Sequence, residues 1–245
     1  MKKQVLETYK KLNTFFKDDF YFLNHGYGPA YPLFADELTK HQYSLYYHLI
    51  KNVKTDNLKI LDIGCGRGGG TRMYRDYGFN FSEIYGCDLV PENVEFCKST
   101  HKEINYQVAD AINLPYEDNY FDVISSVESS HTYGGVLTFL REVKRVLKPS
   151  GVFLYTDVNP KIDDYLFNYR TDGFFFKHCY RDDITSNVAQ ALNEDLITWN
   201  SLEDSEFKDH LIEVSTTYAE AYSMRKVLYG SYVFYNDESK AILKI

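Results

Sequence analysis

The stretch Ile60-Leu61-Asp62-Ile63-Gly64-Cys65-Gly66-Arg67-Gly68-Gly69-Gly70 constrains the fold more than any other part of the chain. Five glycines in seven positions follow directly on a short apolar run. The run reads as a buried parallel strand, and Thr71-Arg72-Met73-Tyr74-Arg75-Asp76-Tyr77 reads as a helix. The glycines therefore sit in a strand-to-helix turn, where they permit unusual φ and let a ligand approach the backbone.

From residue 58 onward short apolar runs alternate with amphipathic stretches. Strands are expected at 58–63, 83–87, 104–108, 121–127 and 151–157, and helices at 69–78, 91–101 and 136–147. Pro91 suits the first turn of a helix. Such alternation predicts an α/β fold, a mostly parallel sheet covered by helices on both faces. Residues 1–57 form an N-terminal helical cap, broken by Asn24-His25-Gly26-Tyr27-Gly28-Pro29, and 58–158 form the ligand-binding core. The aromatic, irregular stretch 159–182 reads as an inserted substrate cap, and 183–245 as the rest of the same domain. In that last part helices are expected near 183–193 and 205–225, and strands near 195–200 and 227–244.

Gly64, Gly66 and Gly69 satisfy the pattern GxGxxG, which many nucleotide-binding turns share. Three acids sharpen it. Asp62, Asp88 and Asp110 fall at the carboxyl ends of the first three strands, where open α/β sheets bind ligands. An acid after the second strand can accept from both ribose hydroxyls, and one after the third from an adenine amine. A pyrophosphate disfavours a carboxylate beside the glycine turn. Asp62 thus points away from NAD and toward a cofactor with cationic groups, S-adenosylmethionine.

The bulk composition excludes other classes. Net charge is −8 with no basic block, so nucleic acid is not expected as a partner. No run of about 18 apolar residues exists, so no membrane span is expected. Cys65, Cys87, Cys97 and Cys179 form no CxxC pair, and the histidines show no ligand spacing. No metal is expected, and a cytoplasmic, reducing location is.

The set Asp62–Gly68, Asp88, Asp110-Ala111, Asn113–Ile124 and Glu142–Val152 resembles the class I S-adenosylmethionine-dependent methyltransferases, over about 58–157. The resemblance implies a Rossmann-like seven-stranded sheet, parallel except for a terminal hairpin strand. It implies cofactor contacts by Asp62, Gly64, Cys65, Gly66, Asp88, Leu89, Asp110 and Ala111. Ser126-Val127-Glu128-Ser129-Ser130-His131-Thr132-Tyr133 is similar to small-molecule methyltransferases acting on hydroxyls of polyketides, glycolipids and sugars, including the phthiotriolone dimycocerosate enzymes. Phe22–Gly28 resembles the segment that covers the cofactor there. On this footing Tyr27, Val127 and Glu128 join the cofactor residues, although the loop bearing His25 and Tyr27 reads equally well as a plain connector.

His131, just past the fourth strand, is the candidate general base, because imidazole titrates near neutrality. Asp157 ends the neighbouring fifth strand and is the candidate that orients it, a pairing the related sugar enzymes share. The expected activity is methyl transfer to a hydroxyl of a small or lipid-like molecule. The alternatives are N-methylation of an amine, an NAD-dependent oxidoreductase and a catalytically silent cofactor-binding subunit. The acceptor and the oligomeric state are left open.

Overall fold

Buried strand residues of the core alternate between two apolar clusters, one on each face of a sheet. Ile60, Val123, Val152 and Leu154 point to one face, and Leu61, Ile63, Ile124, Phe153 and Tyr155 to the other. That period of two, with both faces covered, is what a parallel sheet between helices requires. Each fully buried Leu, Ile or Phe contributes roughly 1.5–3 kcal/mol.

The computed structural model describes residues 2–14, 20–35, 38–158 and 176–244. Helices α1 (Lys2–Asn13) and α2 (Lys40–Ile50) precede the sheet. The core runs β1 (Lys59–Ile63), α3 (Gly69–Asp76), β2 (Glu83–Asp88), α4 (Pro91–Thr100), β3 (Asn105–Val108), β4 (Phe121–Val127), α5 (Val136–Val146) and β5 (Leu147–Val158). Then come β6 (His178–Asp183), α6 (Thr185–Asn200), α7 (Glu206–Ser223) and β7 (Tyr229–Tyr235). The sheet has seven strands in the order β3-β2-β1-β4-β5-β7-β6. Pairings among β1 to β5 are parallel, and β7 runs antiparallel to both β5 and β6. The chain reverses its winding between β1 and β4, so their carboxyl ends flank the crevice where such sheets bind ligands.

The late strands correct the sequence reading. No strand lies at 195–200; those residues close helix α6. Val188, Leu192, Asp195 and Trp199 are buried at helical spacing, while Ile197 is 76% exposed. Burial on one side only, with Trp199 inside and Ile197 outside, is the pattern of a helix. The sixth strand is instead His178–Asp183, overlapping the end of the stretch expected as a cap. Its sequence, HCYRDD, carries no apolar alternation, and it forms as an edge by pairing with β7. Residues 159–175 of the expected cap lie outside the described residues.

Candidate active site

The glycine turn closes β1 in a tight backbone loop. Gly64 and Gly66 have φ of +73° and +53°, in the left-handed region that L side chains avoid. The amides of Gly64 and Cys65 both donate to the carbonyl of Cys87, at 2.8 and 3.0 Å, tying the turn to β2. A Cβ on Gly64 would stand 2.6 Å from the Ser129 side chain, so the turn can pass there only without one.

This turn walls a cleft of about 880 Å³. Gly64, Cys65, Gly66, Asp88, Leu89, Asp110, Ala111, Val127 and Glu128 all line it, as read from the sequence. Asp88 is held rigidly. Its Oδ2 accepts from the Gly66 amide at 2.9 Å, and its Oδ1 from the Val90 amide at 2.8 Å and Asn93 Nδ2 at 3.3 Å. Burial raises its pKa, and these three donors oppose the rise. Asp110 accepts from the Ile112 amide at 3.2 Å and pairs with Lys2 of α1.

Two expected cofactor residues are not on the wall. Asp62 is fully buried behind the turn, on the α2 side of the sheet, one residue out of phase with Leu61 and Ile63. Its Oδ1 accepts from Ser125 Oγ at 2.8 Å and its Oδ2 from Tyr46 OH at 3.3 Å. Burial pushes its carboxyl up to about 7, against the pull of both donors. Tyr27 is turned away as well. Gly26 takes φ +86°, the Tyr27 amide donates to the His41 carbonyl at 2.9 Å, and the ring stacks 4.3 Å from His48. The same loop instead presents Tyr21, Phe22, Leu23 and Asn24 to the cleft.

A second cavity of about 1030 Å³ abuts the first and shares Tyr9, Phe22, Leu23, Asn24 and Glu128 with it. Its walls are largely apolar, with Phe20, Leu192, Trp199 and Leu211 among them, and His131 stands on its edge. Asp157, 1% exposed, grips this histidine twice: Oδ1 lies 2.8 Å from His131 Nδ1, and Oδ2 accepts the His131 amide at 3.1 Å. Ser130 Oγ also donates to Asp157 Oδ2, at 2.6 Å. Burial works against a charged imidazole here, but the hydrogen bond and charge of Asp157, aided by Glu128, outweigh it and raise the His131 pKa.

Tyr9 was invisible to the sequence reading, because nothing local marks a tyrosine in a polar helix as reaching a site. It lines both cavities, and burial beside Asp88, Glu128 and Asp157 pushes its hydroxyl up to about 12. Among the described residues no group of three or more His, Cys, Asp or Glu could hold a metal ion, and no helix is long and apolar enough to cross a membrane.

A family model described as a methyltransferase domain matches residues 61–155. The chain is 37% identical over 153 residues to a fatty-acid O-methyltransferase of Mycolicibacterium smegmatis, covering 60% of this chain and 56% of that protein. It is 33% identical over 150 residues to a phthiotriol/phenolphthiotriol dimycocerosates methyltransferase of Mycobacterium tuberculosis, covering 58% of this chain and 55% of that one. The chain thus spans about half the length of these curated relatives. Among solved structures, the (4+2)-cyclase SpnF superposes with a TM-score of 0.71 at 18% identity, over 96% of this chain and 97% of that one. Geranyl diphosphate C-methyltransferase from Streptomyces coelicolor does so with a TM-score of 0.67 at 15% identity, over 95% and 96%. The strand order and the glycine turn agree with these matches: residues 61–155 match a methyltransferase domain, and the chain has the Rossmann-like seven-stranded fold of these structural neighbours.

Proposed function

We propose that this chain transfers a methyl group from S-adenosylmethionine to a hydroxyl oxygen of a lipid-like molecule, with His131 as general base and Asp157 as the residue that positions it. One observation carries the reading: His131, backed by the buried Asp157, lines a largely apolar cavity that adjoins the glycine-turn cleft. The curated relatives are named for fatty-acid and phthiotriol substrates, which supports the lipid-like class.

The cleft suits the cofactor. Gly64, Gly66 and Asp88 line one cleft, and the rigid Asp88 carboxylate would accept from the ribose hydroxyls. Asp110 would take the adenine amine, sharing its carboxylate with Lys2. The methionine end would lie against Gly64 and Gly66, where the buried Asp62 favours positive charge. When bound, the cofactor supplies a methyl carbon already activated by its sulfonium.

The chain's own residues do the rest. Apolar walls exclude water and hold the acceptor. With Nδ1 fixed against Asp157, His131 offers the Nε2 lone pair to the hydroxyl proton. The hydroxyl proton would pass to Nε2 as the oxygen takes up the methyl group that the bound cofactor supplies. Asp157 stabilises the resulting imidazolium. A second reading, methylation of a carboxylate oxygen, is favoured by the name of the fatty-acid relative and needs no base.

A cyclase among the structural neighbours makes transfer, rather than binding, the decisive test. Radiolabelled methyl transfer to dodecanol is expected for the wild type. His131→Ala should lose about 10²–10⁴-fold in rate while S-adenosylmethionine still raises the melting temperature. An undiminished rate in His131→Ala overturns the base assignment.

A further inference from the structure

The acceptor cavity holds a second imidazole backed by a carboxylate. His25 lies on its wall, as does Glu128. His25 Nδ1 is 3.0 Å from Glu128 Oε1 and 2.9 Å from Tyr222 OH, and the His25 amide donates to Glu128 Oε2 at 2.8 Å. Tyr229 OH donates to the same Oε2 at 2.7 Å. Tyr218 packs against the ring, 4.4 Å between centroids. A lone pair on Nδ1 would face a carboxylate oxygen, so Nδ1 carries the proton and Nε2 the lone pair. With Nδ1 turned to Glu128 and one face covered by Tyr218, the Nε2 edge is the one left for the cavity. Among the described residues Nε2 has no hydrogen-bond partner.

Glu128 is held for this arrangement. Its φ is +48°, a costly value for a residue with a side chain, and it sits directly after β4. Its amide donates to the Thr156 carbonyl at 2.8 Å, which fixes that backbone beside β5. The strain is maintained where the carboxylate must reach a loop 103 residues away in sequence.

Resting on the function proposed above, we infer that His25 determines acceptor specificity: its Nε2 accepts a hydrogen bond from a second hydroxyl, next to the one that takes the methyl group. The acceptor class is then a lipid-like diol or polyol, rather than a simple long-chain alcohol or a free fatty acid. Burial lowers the pKa of His25, with Glu128 opposing and His131 adding to the fall, so the ring is neutral and can accept. His25 and His131 both line this one cavity. A carboxylate acceptor has no hydrogen to offer Nε2, and it would face Glu128 and Asp157 behind the two rings.

The test compares dodecanol, a dodecane diol with neighbouring hydroxyls, and dodecanoic acid as methyl acceptors. The wild type should favour the diol over dodecanol by about tenfold in kcat/KM, mostly through KM, the size of one net hydrogen bond. His25→Asn keeps a group near the Nδ1 position for Glu128 but removes Nε2, and the ratio should fall to about one. His25→Gln restores a polar group near the Nε2 position and should recover part of the preference. Equal use of diol and alcohol by the wild type overturns the inference, and that ratio needs no variant to fold. So does a preference that survives His25→Asn. Preferred methylation of dodecanoic acid overturns it in favour of the carboxylate reading. No transfer to any of the three, with S-adenosylmethionine still stabilising the chain, overturns the proposed function itself.

Discussion

Asp62 offers the sharpest separation of stability from binding, through the substitution Asp62→Asn. Its carboxyl is lifted from 3.8 to about 7 by complete burial. Below about pH 4 folded and unfolded chains both carry the proton, and ionisation of Asp62 does not affect stability. Between about pH 4 and 7 only the folded chain keeps it, so stability is lost as pH rises, and the loss is complete above about pH 7. The full cost is on the order of 4 kcal/mol at pH 8 and less than half of that at pH 5, at about 1.4 kcal/mol per pH unit. Asparagine is isosteric and cannot ionise. Its Oδ1 still accepts from Ser125, and its amide can donate to the Tyr46 oxygen. Asp62→Asn should therefore be more stable than the wild type at pH 8, by about 2–4 kcal/mol or roughly 5–10 °C in melting temperature. The gain should shrink by about 2–3 kcal/mol at pH 5.

Affinity should move the other way. A cation bound at the glycine turn pulls a neighbouring carboxyl down by about 1–3 pH units, and the reciprocal coupling makes the neutral variant bind it about tenfold or more weakly. Urea unfolding of both chains at the two pH values gives the stability, and calorimetry with S-adenosylmethionine gives the affinity. A stability difference that is the same at pH 5 and pH 8 refutes the protonation argument. Unchanged affinity refutes the role of Asp62 behind the turn.

Three of the remaining predictions concern the reaction site and one the turn. His131→Ala should abolish most methyl transfer, and His25→Asn should erase the preference for a diol, by the assays given above. Asp157→Asn removes the carboxylate that raises the His131 pKa, so the rising limb of the pH–rate profile should shift to lower pH. Its kcat should fall by about tenfold or more as the ring loses its orientation; an unmoved profile refutes the pairing as functional. Gly64→Ala places a Cβ 2.6 Å from Ser129 at φ +73°. It should cost about 1–3 kcal/mol in urea unfolding, and the displaced Ser129 should weaken cofactor-induced stabilisation; unchanged stability refutes the tight fit of the turn.

What the sequence disclosed was what local physics dictates. A glycine turn after an apolar run has few structural solutions, and the acids at following strand ends inherit their place from the sheet. The placement of Asp88 and Asp110 on the cleft was therefore legible, and so was the meeting of His131 with Asp157, because neighbouring strand ends must meet. Asp62 shows the limit. Its position at the end of β1 was right, but strand alternation turns its side chain to the α2 face, one residue out of step with Leu61 and Ile63. Tyr27 lies off the cleft wall for a different reason. A left-handed Gly26 reverses the loop, and no spacing rule tells which of six consecutive side chains then faces the ligand. Strand β6 has no alternation to read, since its partner β7 supplies the pairing.

The division between what was and was not legible follows the division of labour in the site. The cofactor side is built from backbone geometry and from residues at strand ends, so 61–155 suffices to mark it. The acceptor side is assembled from α1, the loop 20–31, α6 and α7, which meet only after the chain has folded. Glu128 joins the two. It belongs to the legible core, yet its carboxylate is spent on His25, Tyr229 and, through His25, Tyr222. A strained residue directly after β4 that binds a remote loop carries the geometry of the core outward to the acceptor cavity. Specificity can then change through the loop and the late helices while the cofactor cleft stays fixed, and on the inference above acceptor choice is set at the His25 edge rather than at the glycine turn.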